Sequence, residues 1–221
     1  MKKLFIVANW KSNETEVQAE EWFRALKNSQ ITTNKEEREV IVCPPFILLS
    51  QAKELVTTSH LSIGIGAQDF SPFDSGAHTG EEPPALVKEY AQYAIIGHSE
   101  RRNELGETDE LLANKVAHAL QQGVTPIFCV QGIETPIPEG VSLVAYEPIF
   151  AIGTGHPDTP ENAESVIKAI KAKTHVQYVL YGGSVTADNV QTFTTMPAID
   201  GVLVGGASLD PEKFMKIVEN A

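Results

Sequence analysis

"TPIFCVQGIETPIPEGVSLVAYE", residues 125–147, is the stretch on which the reading of the fold turns. It contains two short apolar runs, "TPIFCV" (125–130) and "SLVAYE" (142–147), neither with a clean polar alternation. Such runs fit parallel strands covered on both faces. Parallel neighbours are normally joined through a helix, but here the connection is only "QGIETPIPEGV" (131–141). Pro136 and Pro138 stand two apart, which rules against a helix between them. Ile133, Ile137 and Val141 are therefore expected to lie along the exposed flank as an extended cover.

Six further runs of the same kind extend in both directions: "LFIVAN" (4–9), "EVIVCP" (39–44), "LSIGIGAQ" (61–68), "YAIIGH" (93–98), "QYVLYG" (177–182) and "DGVLVG" (200–205). Amphipathic segments separate most of them. "ETEVQAEEWFRALKN" places Val17, Trp22, Phe23 and Leu26 at helical spacing, and "ETDELLANKVAHALQQG" does so with Leu111, Leu112, Val116, Ala119 and Leu120 before a stop at Gly123. Thr159-Pro160 and Asp210-Pro211 read as N-cap and first helical residue of two more helices. Eight strands with intervening helices and no linker-like stretch predict one α/β domain over residues 1–221. Closure into a (β/α)8 barrel lacking the helix after strand five is the natural count. An open doubly wound sheet is the alternative, which pattern alone does not exclude.

Apolar residues make up 42% of the 221, enough for a sizeable core, and 21% are charged. The formal charge of −12 argues against nucleic acid or an acidic membrane surface as partner, and requires any anionic ligand to find a locally positive pocket. Cys43 and Cys129 end apolar runs without metal-ligand spacing and read as buried free thiols. The apolar core of "MKKLFIVANWK" is shorter than the ~7–15 residues of a secretion signal, and no run approaches the ~18 of a membrane span. A cytoplasmic location is the expectation.

In a barrel of this kind reactive side chains project from the C-terminal strand ends. Those ends carry Asn9 and Lys11, Gln68, His98, Glu147, "GGS" (182–184) and "GG" (205–206). Glycine turns ahead of helices let backbone N–H groups approach an oxyanion, so two at successive strand ends read as a phosphate cradle. Glu147 is followed by Pro148 and the largely apolar Ile149-Phe150-Ala151-Ile152-Gly153-Thr154. A solvated loop should be polar; this one reads as a cover. Taken singly, His98 could be structural, Lys11 a surface lysine and Glu147 an ion-pair partner. Their convergence carries the reading.

Over nearly its whole length the chain resembles the triosephosphate isomerase family. "ANWKSN" resembles that family's strand-one motif, "GAQDFSPFDSGAHTGE" its third loop, "IIGHSERR" its histidine motif, and "VAYEPIFAIGTG" its glutamate and lid. "YGGSV" and "DGVLVGGASL" are similar to its phosphate turns. The resemblance implies a TIM barrel that interconverts dihydroxyacetone phosphate and D-glyceraldehyde 3-phosphate in glycolysis and gluconeogenesis. Glu147 would be the base, His98 a neutral imidazole polarising the carbonyl, and Lys11, assisted by Asn9, the balancing charge. Backbone groups at Gly153, Ser184, Gly205 and Gly206 would hold phosphate, and Pro148 to Thr154 would form the lid. Glu100 would support Lys11 or a dimer contact, and Tyr181 would latch the closed lid. The resemblance further implies a homodimer formed through the loop Asp69 to Gly80, with Phe70, Phe73 and Thr79 near its tip, and neither cofactor nor metal.

The chemistry agrees with these roles. Excluding water strengthens a carboxylate as a base towards a carbon acid, and donors aimed at the enediolate oxygens stabilise charge where it develops. The chain departs from the family in the missing helix, in Gln131-Gly132 where Gly-Glu is usual, and in Phe150 where Trp is common. Two competing readings are a barrel that binds phosphate without turnover and a related isomerase for another phosphorylated sugar.

Overall fold

The computed structural model describes residues 2–29, 37–151 and 156–221. Eight parallel strands close into a barrel in sequence order: β1 (Leu4–Asn9), β2 (Arg38–Cys43), β3 (Gly64–Ala67), β4 (Tyr93–Ile96), β5 (Thr125–Val130), β6 (Leu143–Tyr146), β7 (Tyr178–Tyr181) and β8 (Gly201–Val204). Barrel closure, shown by β1 pairing with both β2 and β8, excludes the open sheet. The helices are α1 (Glu16–Asn28), α2 (Leu49–Thr58), α3 (Pro84–Val87), α4 (Ser99–Leu105), α5 (Asp109–Gln122), α6 (Pro160–Thr174), α7 (Val190–Thr194) and α8 (Pro211–Asn220). Among the described residues none is long and apolar enough to cross a membrane.

The strands lack polar alternation because both of their faces are buried. Phe5, Val7, Ile41, Cys43, Ile95, Ile127, Cys129, Leu143, Ala145, Leu180 and Leu203 fill the barrel interior. Their neighbours of opposite parity, among them Ile6, Ala8, Val42, Ile96, Phe128 and Val144, pack outward under the helices. Both cysteines are buried free thiols, and burial pushes both thiols up.

Local chemistry sets the helix starts. Thr15 and Gln18 form a reciprocal capping box on α1, Thr159 caps α6 ahead of Pro160, and Asp210 caps α8 ahead of Pro211. Three expected apolar positions are not core, Leu111 being only partly buried. Val17 is 65% exposed because it lies off the Ala19, Trp22, Phe23, Leu26 stripe that faces the barrel. Leu120 is also largely exposed, at the edge of a stripe made by Leu112, Val116 and Ala119.

That α5 stripe contains an unexpected residue, Lys115. Its ammonium donates to Asp69 Oδ1 and Oδ2 at 2.7 and 2.6 Å and to Glu107 Oε1 at 2.6 Å, all buried. Arg101 of α4 completes the cluster, 2.7 Å from Asp69 and 2.9 Å from Glu107. Burial pushes the Asp69 carboxyl up to about 6 despite both cations. Burial also pushes Glu107 upward, but the bonds from Lys115 and Arg101 outweigh it and hold that carboxyl below its usual range. The cluster ties the start of the loop at Asp69 to α4 and α5. Phe70 is buried beside it and is core, a correction to its expected place at the loop tip; Phe73 and Thr79 are exposed.

Between β5 and β6 there is no helix, as the two prolines require. The connection 131–142 runs as a strap. Val141 is buried and Ile137 packs against the core, while Ile133 is 37% exposed and contributes through its carbonyl, which accepts from Lys173 of α6 at 2.9 Å. Gly140 lets the strap pass close to the Leu120 side chain of α5: its φ is 84°, and a Cβ there would lie 2.6 Å from Leu120 Cδ1. Gly140→Ala is expected to cost about 1–2 kcal/mol from the left-handed backbone alone. Urea denaturation should show a lowered midpoint with an unchanged slope.

Candidate active site

Strand parity builds the site. Continuing each inward face one step past the last interior layer gives Asn9 on β1, Gln68 after β3, Glu147 after β6, Gly182 after β7 and Gly205 after β8. The Glu147 N–H donates to Val130 O at 2.8 Å, extending the ladder by one residue and fixing where the carboxylate leaves the barrel. His98 does not follow this rule. Ile95 points inward and Ile96 outward, so simple alternation would turn residue 98 away from the mouth. Gly97, at φ 74°, breaks the alternation and brings His98 in as the N-cap of α4.

Asn9, Lys11, His98 and Glu147 line one cleft of ≈ 220 Å³ together with Gly182, Gly183, Ser184, Gly205 and Gly206. Glu147 is 1% exposed; its Oε2 accepts from the Ser99 N–H at 2.9 Å, and its Oε1 lies 2.9 Å from His98 Nε2. His98 Nδ1 accepts from the Glu100 N–H at 3.3 Å, which assigns the ring proton to Nε2, the atom facing Glu147.

Lys11 sits at φ 53°, a left-handed conformation that is unfavourable for a non-glycine residue. Three bonds hold it there: its N–H donates to Asn9 Oδ1 at 3.0 Å, Gln68 Nε2 donates to its carbonyl at 2.8 Å, and its ammonium pairs with Glu100 Oε1. Gln68 also donates to Cys43 O at 2.9 Å, so it braces Lys11 against β2. Within the chain, Glu100 therefore supports Lys11. The sequence places Gln68 at a strand end with no role; its inward parity is the signal for one.

The two glycine turns follow the adjacent strands β7 and β8 and both line the cleft. A Cβ on Gly182 would lie 3.1 Å from Glu147 Cγ and from Tyr146 O, so only glycine lets β7 approach the carboxylate this closely. A Cβ on Gly205 would stand 3.9 Å from Lys11 Nζ, which places the ammonium beside that turn. Lys11 is the one cation among the described residues lining this cleft, and with the turn N–H groups it supplies the local positive field the acidic chain requires. Among the described residues no group of three His, Cys, Asp or Glu side chains is arranged to hold a metal ion.

The expected lid is described only from Pro148 to Ala151. Ile149–Ala151 form a single 3-10 turn after Pro148, with Ala151 buried and Ile149 and Phe150 58% and 63% exposed. Ile152, Gly153 and Thr154 lie outside the described residues. Ser184 Oγ donates to Ala151 O at 2.8 Å on one side of the loop, and Tyr181 OH accepts from the Asp158 N–H at 2.8 Å on the other. Ile149 and Phe150 are mostly exposed here, and the contacts around the buried Glu147 carboxylate come from the barrel wall, through Gly182, Ser99 and His98.

A closed parallel barrel that gathers a buried carboxylate, an imidazole and an ammonium against two glycine turns defines a barrel enzyme, reactive at its C-terminal mouth. The sequence comparisons resolve the class. The triosephosphate isomerase family model matches residues 4–141 and 133–221. The triosephosphate isomerase of Thermus thermophilus is 37% identical, with all of both chains covered. That of Coxiella burnetii is 39% identical over 98% of this chain and 96% of its own, and that of Trichodesmium erythraeum 38% over 99% of each. The chain belongs to the triosephosphate isomerase family.

Proposed function

We propose that this protein interconverts dihydroxyacetone phosphate and D-glyceraldehyde 3-phosphate, serving glycolysis and gluconeogenesis in the cytoplasm, and that residues 1–221 act as one domain. The observation that carries the reading is the buried Glu147–His98 pair, 2.9 Å apart in a cleft walled by Gly182–Ser184 and Gly205–Gly206. The substrate phosphate lies against the backbone of Ser184, Gly205 and Gly206, with Gly153 joining when the lid shuts. Its reacting end displaces the contact between Glu147 and His98.

Glu147 then removes a proton from the carbon next to the carbonyl. The C–H electron pair becomes the enediolate C=C bond, and the carbonyl oxygen takes the negative charge. His98 Nε2–H and Lys11, with Asn9 beside it, donate to the two oxygens where that charge appears. His98 gives its Nε2 proton to the former carbonyl oxygen and takes up the proton of the other oxygen, and return of the carbon-bound proton from Glu147 to the adjacent carbon completes the isomerisation. Pro148 to Thr154 close as the lid, with Tyr181 and Ser184 anchoring the two ends of the loop. No cofactor or metal takes part.

A coupled assay with glyceraldehyde 3-phosphate tests the reading. Turnover is expected. Phosphate binding without turnover would identify a binding barrel, and turnover confined to another phosphorylated sugar would identify a related isomerase.

The same reading includes a homodimer formed through the loop Asp69 to Gly80. Supporting it, Phe46, Ile47, Phe73, Leu86 and Leu105 are all at least 36% exposed, and two adjoining hollows that share Phe46 contain them. Light scattering at micromolar concentration is expected to give twice the chain mass; a monomer would overturn the dimer and leave the chemistry standing.

A further inference from the structure

The proposed mechanism uses His98, but strand parity points residue 98 outward, and its orientation depends on the left-handed turn at Gly97. One side chain holds that turn. Arg102 Nε donates to Gly97 O at 2.9 Å. Its guanidinium lies so close to the glycine that a Cβ there would be 3.1 Å from Nη2, while Leu112 Cδ1, also at 3.1 Å, closes the other side. The guanidinium stacks 5.7 Å over the Phe128 ring of β5, and Nη1 donates to Asp109 Oδ1 at 2.7 Å at the surface. Arg102 is also tied to the histidine through the backbone, its N–H donating to His98 O at 3.1 Å. A planar fork with donors in fixed directions suits this clamp, and lysine has no equivalent of the Nε–H.

We propose that Arg102 is a positioning residue for the reaction. By clamping the Gly97 carbonyl from the α4 side it sets the angle at which α4 begins, and with it the bond from the Glu100 N–H to His98 Nδ1 and the direction of Nε2–H. It lines neither the cleft nor the phosphate turns, so its effect falls on the reacting centre and not on substrate binding. The kinetic part of this inference rests on the proposed isomerase reading; the structural part does not.

The test compares Arg102→Gln, Arg102→Lys and Asp109→Asn by steady-state kinetics and by nitrogen NMR of the His98 ring, each below its own melting temperature. Arg102→Lys keeps the charge and much of the apolar stem, so it remains folded if Arg102→Gln does not. Both Arg102 variants are expected to lose about ten- to hundredfold in kcat, the scale of a small misplacement of a reacting group. KM should stay within about twofold of wild type. The His98 signals should lose the pattern of one protonated and one accepting nitrogen. Asp109→Asn leaves the Gly97 bond in place and should match wild type in both measurements. Wild-type kcat in folded Arg102→Lys would overturn the inference. So would unchanged His98 signals in both Arg102 variants, or a loss in Asp109→Asn equal to theirs. A wild-type protein without turnover would sink the isomerase reading instead, leaving the NMR comparison to decide this one.

Discussion

Glu147→Asp is expected to lower kcat about a hundredfold or more while KM changes little. The backbone of residue 147 is fixed by its N–H bond to Val130 O at 2.8 Å, so the strand end does not follow the shortened side chain. The carboxylate retreats by one methylene from both its contacts, Ser99 N–H and His98 Nε2, and from any substrate carbon those contacts frame. Aspartate keeps the charge and the chemical type, which makes the loss a measure of position. The wall around the residue, including Gly182, is otherwise intact, and folding stability should fall far less than activity. Equal kcat in the two proteins would remove Glu147 as the base.

Lys115→Met is expected to destabilise the fold by about 3–5 kcal/mol at neutral pH, because it strips the shared ammonium from two buried carboxylates. Asp69 is 6% exposed and Glu107 7%, so water does not replace the lost partner. Arg101 remains but must serve both alone. Acid should narrow the gap. Without the ammonium the carboxyls of the folded variant are raised above their unfolded values, so their contribution is fully present below about pH 4 and is lost as pH rises through the folded values. The difference from wild type should therefore be largest near neutrality and shrink towards pH 4. Urea titrations across that range decide the point; a difference constant with pH would show that the carboxylates are not the cause.

The barrel was legible because its physics is repetitive. Two-sided burial removes polar alternation from a strand, and each apolar run from "LFIVAN" to "DGVLVG" shows it. The proline pair correctly forecast a missing helix, since ring sterics act locally. Site residues at inward parity, such as Asn9 and Glu147, follow from the same rule. What stayed hidden depends on contacts between distant segments. Lys115 looks like the polar side of α5 until Asp69, 46 residues earlier, and Glu107 meet it in the core. Phe70 looks like a loop-tip anchor until the same cluster pulls the start of the loop inward. Nothing in "IIGHSERR" taken alone shows that the second arginine reaches back to the glycine, because that bond exists only once α4 has formed.

The strap that replaces a helix between β5 and β6 bears on how such a barrel varies in length. Val130 opposite Tyr146 and the single bond from Glu147 to Val130 fix the height of the carboxylate above the interior layers. That height belongs to the strand ladder and does not depend on what joins the two strands. A connection can therefore be shortened, lengthened or given another secondary structure without moving the reacting atom, provided it still shields the outer faces of its strands. The crossover is a covering with free dimensions, and the ladder is the ruler.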